Sequence, residues 1–497
     1  MEITDLTPAE RRLWDAFPRG TLVDFRTGSA DEDDPETGSG WGAGRTVRAE
    51  VLRALLLGGR QDEGEIPALR VMGARIAGAL RLRYAVAECA VLMAGCHFDE
   101  VPNLYGAQLR QLNLSGSVLP GLEAATLRVD GVLRLTDCRI PGPVRLGGAR
   151  ITQALFFDRA RIGVEADGST AQATDGGPVL QLSQVSAGDD LWWPRLTVHG
   201  EVRISGASVT GQIMLDDAEL LNPGATALQG ENLAVGTDVH GMRLRVRGRI
   251  NVRGARIPGQ LNLAYADLSD PGGVAVRASS CTVGELWLRA AVPIEGAVNL
   301  RRSQFDLIHA DPSVWPSEVR MDGMTYTSLL PHLPAAERLP LLDRDGEGYL
   351  PYSYEQLTAA YRRIGDDDAA RTVQLAKQRR HRRTLPGYAR GWGHLQDATV
   401  GYGFRPVRAA AWLFSLLLAG SVTYATHHPR ALKADEAPSF NPLFYTLDLL
   451  LPIIDFGQEK AFSPQGWYQW LSYLLIVTGW LLATTIAAGI TRSVSRQ

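Results

Sequence analysis

GARIPGQLNLAYADL, residues 254–268, is the stretch that decides the fold. Leu261 and Leu263 are separated by one polar residue, so both fall on one face of a short strand. Glycine and small residues beside them mark tight corners. The pattern recurs in GARITQALFFDRARI (148–162) and GASVTGQIMLDDAEL (206–220). Weaker copies are GARIAGALRLRYAVA (73–87) and DCRIPGPVRLGGARI (137–151). The small-x-apolar steps lie eleven residues apart, as Cys138, Ala149 and Ala160 show. No 3.6-residue period runs through these units, which argues against a helical repeat. One unit alone buries little; stacking consecutive units into a solenoid buries one continuous core.

The expected fold class is therefore mainly β: a right-handed-type β-solenoid, followed by a helical hairpin and a C-terminal two-helix transmembrane domain. Steps such as Ala107-Gln108-Leu109, Ala218-Glu219-Leu220 and Ala266-Asp267-Leu268 resemble pentapeptide-repeat proteins, in a degenerate form that does not keep the five-residue register. Four regions are expected: an N-terminal segment with a capping helix (1–68), the solenoid (69–340), a basic helical juxtamembrane linker (341–405) and a transmembrane domain (406–497). The cap is expected to be an amphipathic helix over Thr46–Leu57, stopped by Gly58-Gly59. The preceding Gly38-Ser-Gly40-Trp-Gly42-Ala43 matches a dinucleotide fingerprint, but no apolar strand leads into it, so a flexible loop is expected.

At 497 residues with a net charge of −3, the chain is not built to coat nucleic acid. Its four cysteines form no C-x-x-C pair and read as small core residues. No P-loop, H-E-x-x-H or G-x-S-x-G is present, and the histidines lack metal spacing, so no catalytic residue, cofactor or metal ligand is assigned. The row MRLRVRGRINVRGAR carries Arg243, Arg245, Arg247, Arg249, Arg253 and Arg256 on alternating positions. It reads either as a solvated outer face or as a phosphate- or lipid-binding patch.

After residue 340 the grammar changes. Ser353–Ile364 reads as a helix, and Asp366–Asp368 can cap a second one that ends in Lys377, Arg379, Arg380, Arg382 and Arg383. These five cations are the candidate contacts to anionic lipid, each contributing ~1 kcal/mol near such a surface. Two uncharged apolar runs follow, 409–426 and 467–490, each long enough to cross ~30 Å of hydrocarbon. Nine Lys/Arg precede the first run from 371 to 408, against one acid, whereas 427–466 holds three against five acids. The positive-inside rule then places both termini in the cytoplasm of a multi-pass plasma-membrane protein. Small residues at four-residue spacing within 479–490 suit homo-oligomer packing.

Between the runs lies FNPLFYTLDLLLPIIDFGQE (440–459), too short and too charged to span. It is expected to be re-entrant or interfacial, breaking at Pro452. Asp448, Asp455, Gly457 and Glu459 are the candidate pore or polar membrane residues, Asp455 as a cation attractor and Asp448 as a group that holds the segment in place.

Together with AKQRRHRR (376–383), GHLQDATVGYGFRP (393–406) and GWLLATTIAAGITR (479–492), this segment resembles the C-terminal part of a bacterial family of pentapeptide-like membrane proteins. Members are often catalogued as membrane-associated oxidoreductases, so the resemblance implies a redox activity that no residue pattern here carries. The expected function is a membrane-anchored cytoplasmic scaffold or sensor whose solenoid meets a cytoplasmic protein partner. The alternatives are an oligomeric cation channel or transport module with a re-entrant segment, and the oxidoreductase that the resemblance implies.

Overall fold

The structure is a computed structural model that describes residues 5–59, 61–164, 177–346, 348–387, 390, 406–433, 437–451 and 454–494, the side chains of 406, 407 and 485–494 excepted. The chain divides into two compact units, 1–356 and 357–497.

The first unit is a β-solenoid of about eleven turns over residues 68–330. Arg139 lies opposite Arg161 and Leu180 opposite Val202 in parallel pairing, so one full coil takes twenty-two residues. The eleven-residue step in the sequence is thus a half-coil, and each coil contributes to two parallel sheets. Cys138, Ala149 and Ala160, half a coil apart, are fully buried. Each directly follows a corner residue with a left-handed backbone: Asp137, Gly148 and Arg159, φ 56°, 69° and 56°. Glycine suits that corner but is not required, because hydrogen bonds on both sides over-determine it.

The position after the corner is buried and often small, although Leu127, Val185, Leu196, Leu233 and Leu244 also stand there. Cys96, Cys138 and Cys281 occupy it, as do Ser117 and Ser303, whose hydroxyls bond the neighbouring coil. Burial pushes the Cys96 and Cys138 thiols up to about 12. Outward side chains also stack in register. Arg243, Arg245 and Arg247 pair with Asp217, Glu219 and Asp267 of adjacent coils, so half of the arginine row is matched by acids on the solenoid itself.

The N-terminal segment departs from the expected single cap. Helix α1 (Pro8–Ala16) opens on a capping box of Thr7 and Glu10 that the sequence reading had not singled out. Helix α2 runs Ala49–Gly58, starting three residues later than expected. Thr46–Arg48 is instead a strand paired with Arg75–Ala77, and Val23–Asp24 pairs with Val71–Met72. Both sheets therefore begin inside residues 1–68, because the first coil needs a partner for its exposed edge. The start of the glycine-rich loop has a seat on the solenoid. Pro35–Gly40 is a 3-10 turn docked on the solenoid: His97 Nδ1 bonds Pro35 O at 2.9 Å, and a Cβ on Gly38 would lie 2.3 Å from His97 Cβ.

After the last coil come α3 (Ala335–Leu342), α4 (Pro351–Arg363) and α5 (Asp367–Thr384). Asp366 caps α5, accepting from Ala369 N at 2.9 Å. Gln374 Nε2 bonds Thr358 Oγ1 at 3.0 Å, tying α5 to α4.

Two predictions follow from this packing. Ala149→Leu should lower the stability of the solenoid by about 1–3 kcal/mol through overpacking, whereas exposed Arg150→Gln should leave the thermal melt unchanged. At the cap, Glu10 is fully buried against Arg48. Burial pushes its carboxyl up, but hydrogen bonds from the Arg48 side chain and from the Thr7 and Arg48 backbones outweigh this and hold it at about 2, below its ordinary 4.5. A folded value below the unfolded one stabilises the protein above pH 4.5, and that contribution drains away as the pH falls towards 2. Glu10→Gln should cost roughly 2 kcal/mol at neutral pH and show a shallower loss of melting temperature across that acid window.

Candidate functional site

The second unit is organised around α6 (Pro406–Thr426), α7 (Pro442–Leu450), α8 (Gln458–Ala461) and α9 (Trp467–Val494). Among the described residues, Arg408–Thr426 is the one stretch long and apolar enough to cross a membrane. Helix α9 is longer, but its side chains beyond 484, including most of the small-residue face at 479–490, lie outside the described residues.

Helix α7 packs against both long helices. Asn441 caps it, its side-chain oxygen accepting from Leu443 N and Phe444 N at 3.0 and 3.3 Å, and Pro442 occupies the first turn. Two glycines permit the approach. A Cβ on Gly420 of α6 would sit 2.4 Å from Thr446 Cγ2, and one on Gly479 of α9 would sit 2.3 Å from Leu450 O. Small residues let helices meet backbone to backbone. Gly479 lies about three turns, roughly 18 Å, along α9 from Trp467. Tyr445 and Tyr424 meet edge to face at 4.9 Å, and Tyr424 Oη donates to Tyr468 O at 3.1 Å.

Arg430–Ala431 pairs antiparallel with Phe462–Ser463, closing the base of the excursion. Asp448 locks the return. It is buried on α7, and its Oδ1 accepts from Phe456 N at 2.6 Å while Oδ2 accepts from Gln458 N and Glu459 N at 2.8 and 3.2 Å. Gln458 completes the clasp: its Oε1 accepts from Asn441 N and its Nε2 donates to Ser439 O, both at 3.2 Å. These contacts satisfy polar groups of the return loop within the protein.

Of the four candidates, Asp448, Gly457 and Glu459 are drawn together in this clasp, and Asp455 sits on its outer side. Gly457 supplies the left-handed turn, φ 75°, that opens α8. Asp455 is exposed and forms an ion pair with Lys460. Hydrogen bonds from Lys460 and from Gly457 N, at 2.8 Å, hold its carboxyl below the usual range. Glu459 is exposed. Pro452 lies outside the described residues. Of the basic candidates, Arg379 and Arg383 are exposed on α5, and Lys377, Arg380 and Arg382 are half-buried.

Sequence reasoning missed Gln458, Gly420, Gly479 and the tyrosine pair. Glycines within apolar runs were the available signal for the two close approaches. Nothing local marks Gln458, whose partners lie seventeen and nineteen residues away.

The outer surfaces of the long helices are apolar. Phe414, Leu418 and Val422 form an exposed stripe on α6; Trp470, Tyr473, Leu474, Val477, Trp480 and Leu481 form one on α9, with Trp467 80% exposed at its start. Compared with known proteins, the chain matches no family model, no curated sequence and no solved structure.

Asp448→Asn keeps the shape but turns an acceptor towards backbone N–H groups as a donor. It should cost about 1–3 kcal/mol, read as a lower melting temperature and a lower yield of monodisperse protein. Asp455→Asn, at an exposed pair, should change neither.

Proposed function

We propose that this protein is a membrane-anchored β-solenoid that acts as a scaffold or sensor at the cytoplasmic face of the plasma membrane. The observation that carries this reading is the apolar belt of α6 and α9. Contiguous exposed surface of that kind is rare on a soluble monomer and is what hydrocarbon requires. The tryptophans and tyrosines at the Trp467 end of α9 suit a membrane interface. Helices α6 and α9 are the two spans, α7 is the re-entrant segment between them, and the basic end of α5 rests on anionic lipid. The solenoid, on the N-terminal side of the first span, is then cytoplasmic, and its regular outer columns present a surface to a cytoplasmic protein.

This topology is tested by placing single cysteines at Ser29 and Ser439, both exposed. The four native cysteines are buried and need no removal. With a membrane-impermeant maleimide on intact cells, Ser439→Cys should label and Ser29→Cys should label only after permeabilisation. The opposite pattern overturns the orientation, and full release of the protein by alkaline carbonate overturns the anchor.

A further inference from the structure

The lumen of the solenoid is not filled uniformly. In the coils from Leu133 to Leu146, inward side chains such as Leu133, Leu135, Val144 and Leu146 are fully buried. Backbone hydrogen bonds from coil to coil stack one inward column as Leu114, Leu135, Phe157, Trp193, Leu215, Gly241 and Leu263. Phe157 and Trp193 fill their levels with rings that meet edge to face at 5.9 Å. The next levels, Leu215, Gly241 and Leu263, carry no ring, and one carries no side chain at all.

A void of about 70 Å³ opens there. It is lined between Ile204 and Trp315 by apolar side chains alone, among them Leu215, Val239, Leu263, Leu286, Phe305 and Trp315. The same residues show it independently: Val239 and Leu263 stay 7% accessible although they point inward. Holding one water takes roughly 10–15 Å³ on this measure, so the void accommodates about five water-sized groups. Water is a poor occupant, since it needs two to four polar partners and the lining offers none. The lining side chains forgo dispersion contacts that a hydrocarbon would restore.

We propose that this lumen is a binding site for a short aliphatic chain of about four to five carbons. The chemistry is non-directional: shape and dryness select a slender saturated chain and exclude any group that needs a hydrogen-bond partner. The site goes beyond the scaffold reading and does not depend on it, since it lies wholly within the solenoid.

The test uses crystals of the full chain, where position separates lumen binding from uptake into lipid. One set is pressurised with xenon, and another is soaked with 1-bromobutane, whose bromine is located by anomalous scattering. Both should give a peak among Leu215, Val239 and Leu263. Val239→Phe fills the void and should abolish both peaks while the strand-dominated circular dichroism persists. If that variant fails to fold, Ala278→Val, a smaller filler on the same lining, takes its place. Absence of both peaks overturns the proposal. Xenon without bromobutane also overturns it, because the void is then closed to a chain. Peaks that survive the filler put the ligand elsewhere and overturn it as well.

Discussion

Everything in the first unit depends on parallel backbone hydrogen bonding from coil to coil, which holds each left-handed corner and the buried residue after it in line with the next. Ala149, Ala160, Cys138, Cys281 and Ser117 all stand at such corners and all are buried. With the corners in line, parallel hydrogen bonding locks each coil to the next and the apolar residues between corners close into one core. The constraint tolerates variation elsewhere. Additional residues are absorbed: Val144 pairs with Leu180, thirty-six positions on, and a register shift between Leu221 and Thr226 takes up others. It even tolerates non-glycine residues in left-handed corners, because the surrounding ladder over-determines their backbone.

A solenoid also has ends, and an open end exposes unpaired strand edges and an apolar lumen. At the N-terminus the chain answers with α1, α2 and two short strands that continue both sheets. The pair of buried Glu10 with half-exposed Arg48 fastens α1 to the strand at Thr46–Arg48. Each oxygen of Glu10 accepts at least two hydrogen bonds, so the burial of this charge is compensated.

The second unit solves a different problem with the same accounting of polar groups. A nine-residue helix and its return loop are folded between two long apolar helices. One buried carboxylate, Asp448, satisfies three backbone N–H groups of the loop, and one buried amide, Gln458, satisfies the opposite rim. The acid that interrupts an apolar stretch is thereby explained as the group that closes it. Asp455, seven residues on, is left at the surface with Lys460.

The sequence by itself determined the repeat, its eleven-residue step, the inward position of Cys138 and Ala149, the two apolar runs and the polar break between them. These are legible because each rests on local periodicity or composition, which a single chain displays directly. Only the tertiary structure decided that two steps make one coil, that Thr46–Arg48 belongs to a sheet and not to α2, and that the glycine-rich loop is seated on His97. It alone decided that Asp448 is bonded by residues 456–459, that Gly420 and Gly479 are the close-approach points for α7, and that the inward column from Leu114 to Leu263 carries no ring beyond Trp193. The physical reason is common to all of these: each is a contact between residues far apart in sequence, fixed by which backbones come close and by how much volume the neighbouring side chains leave.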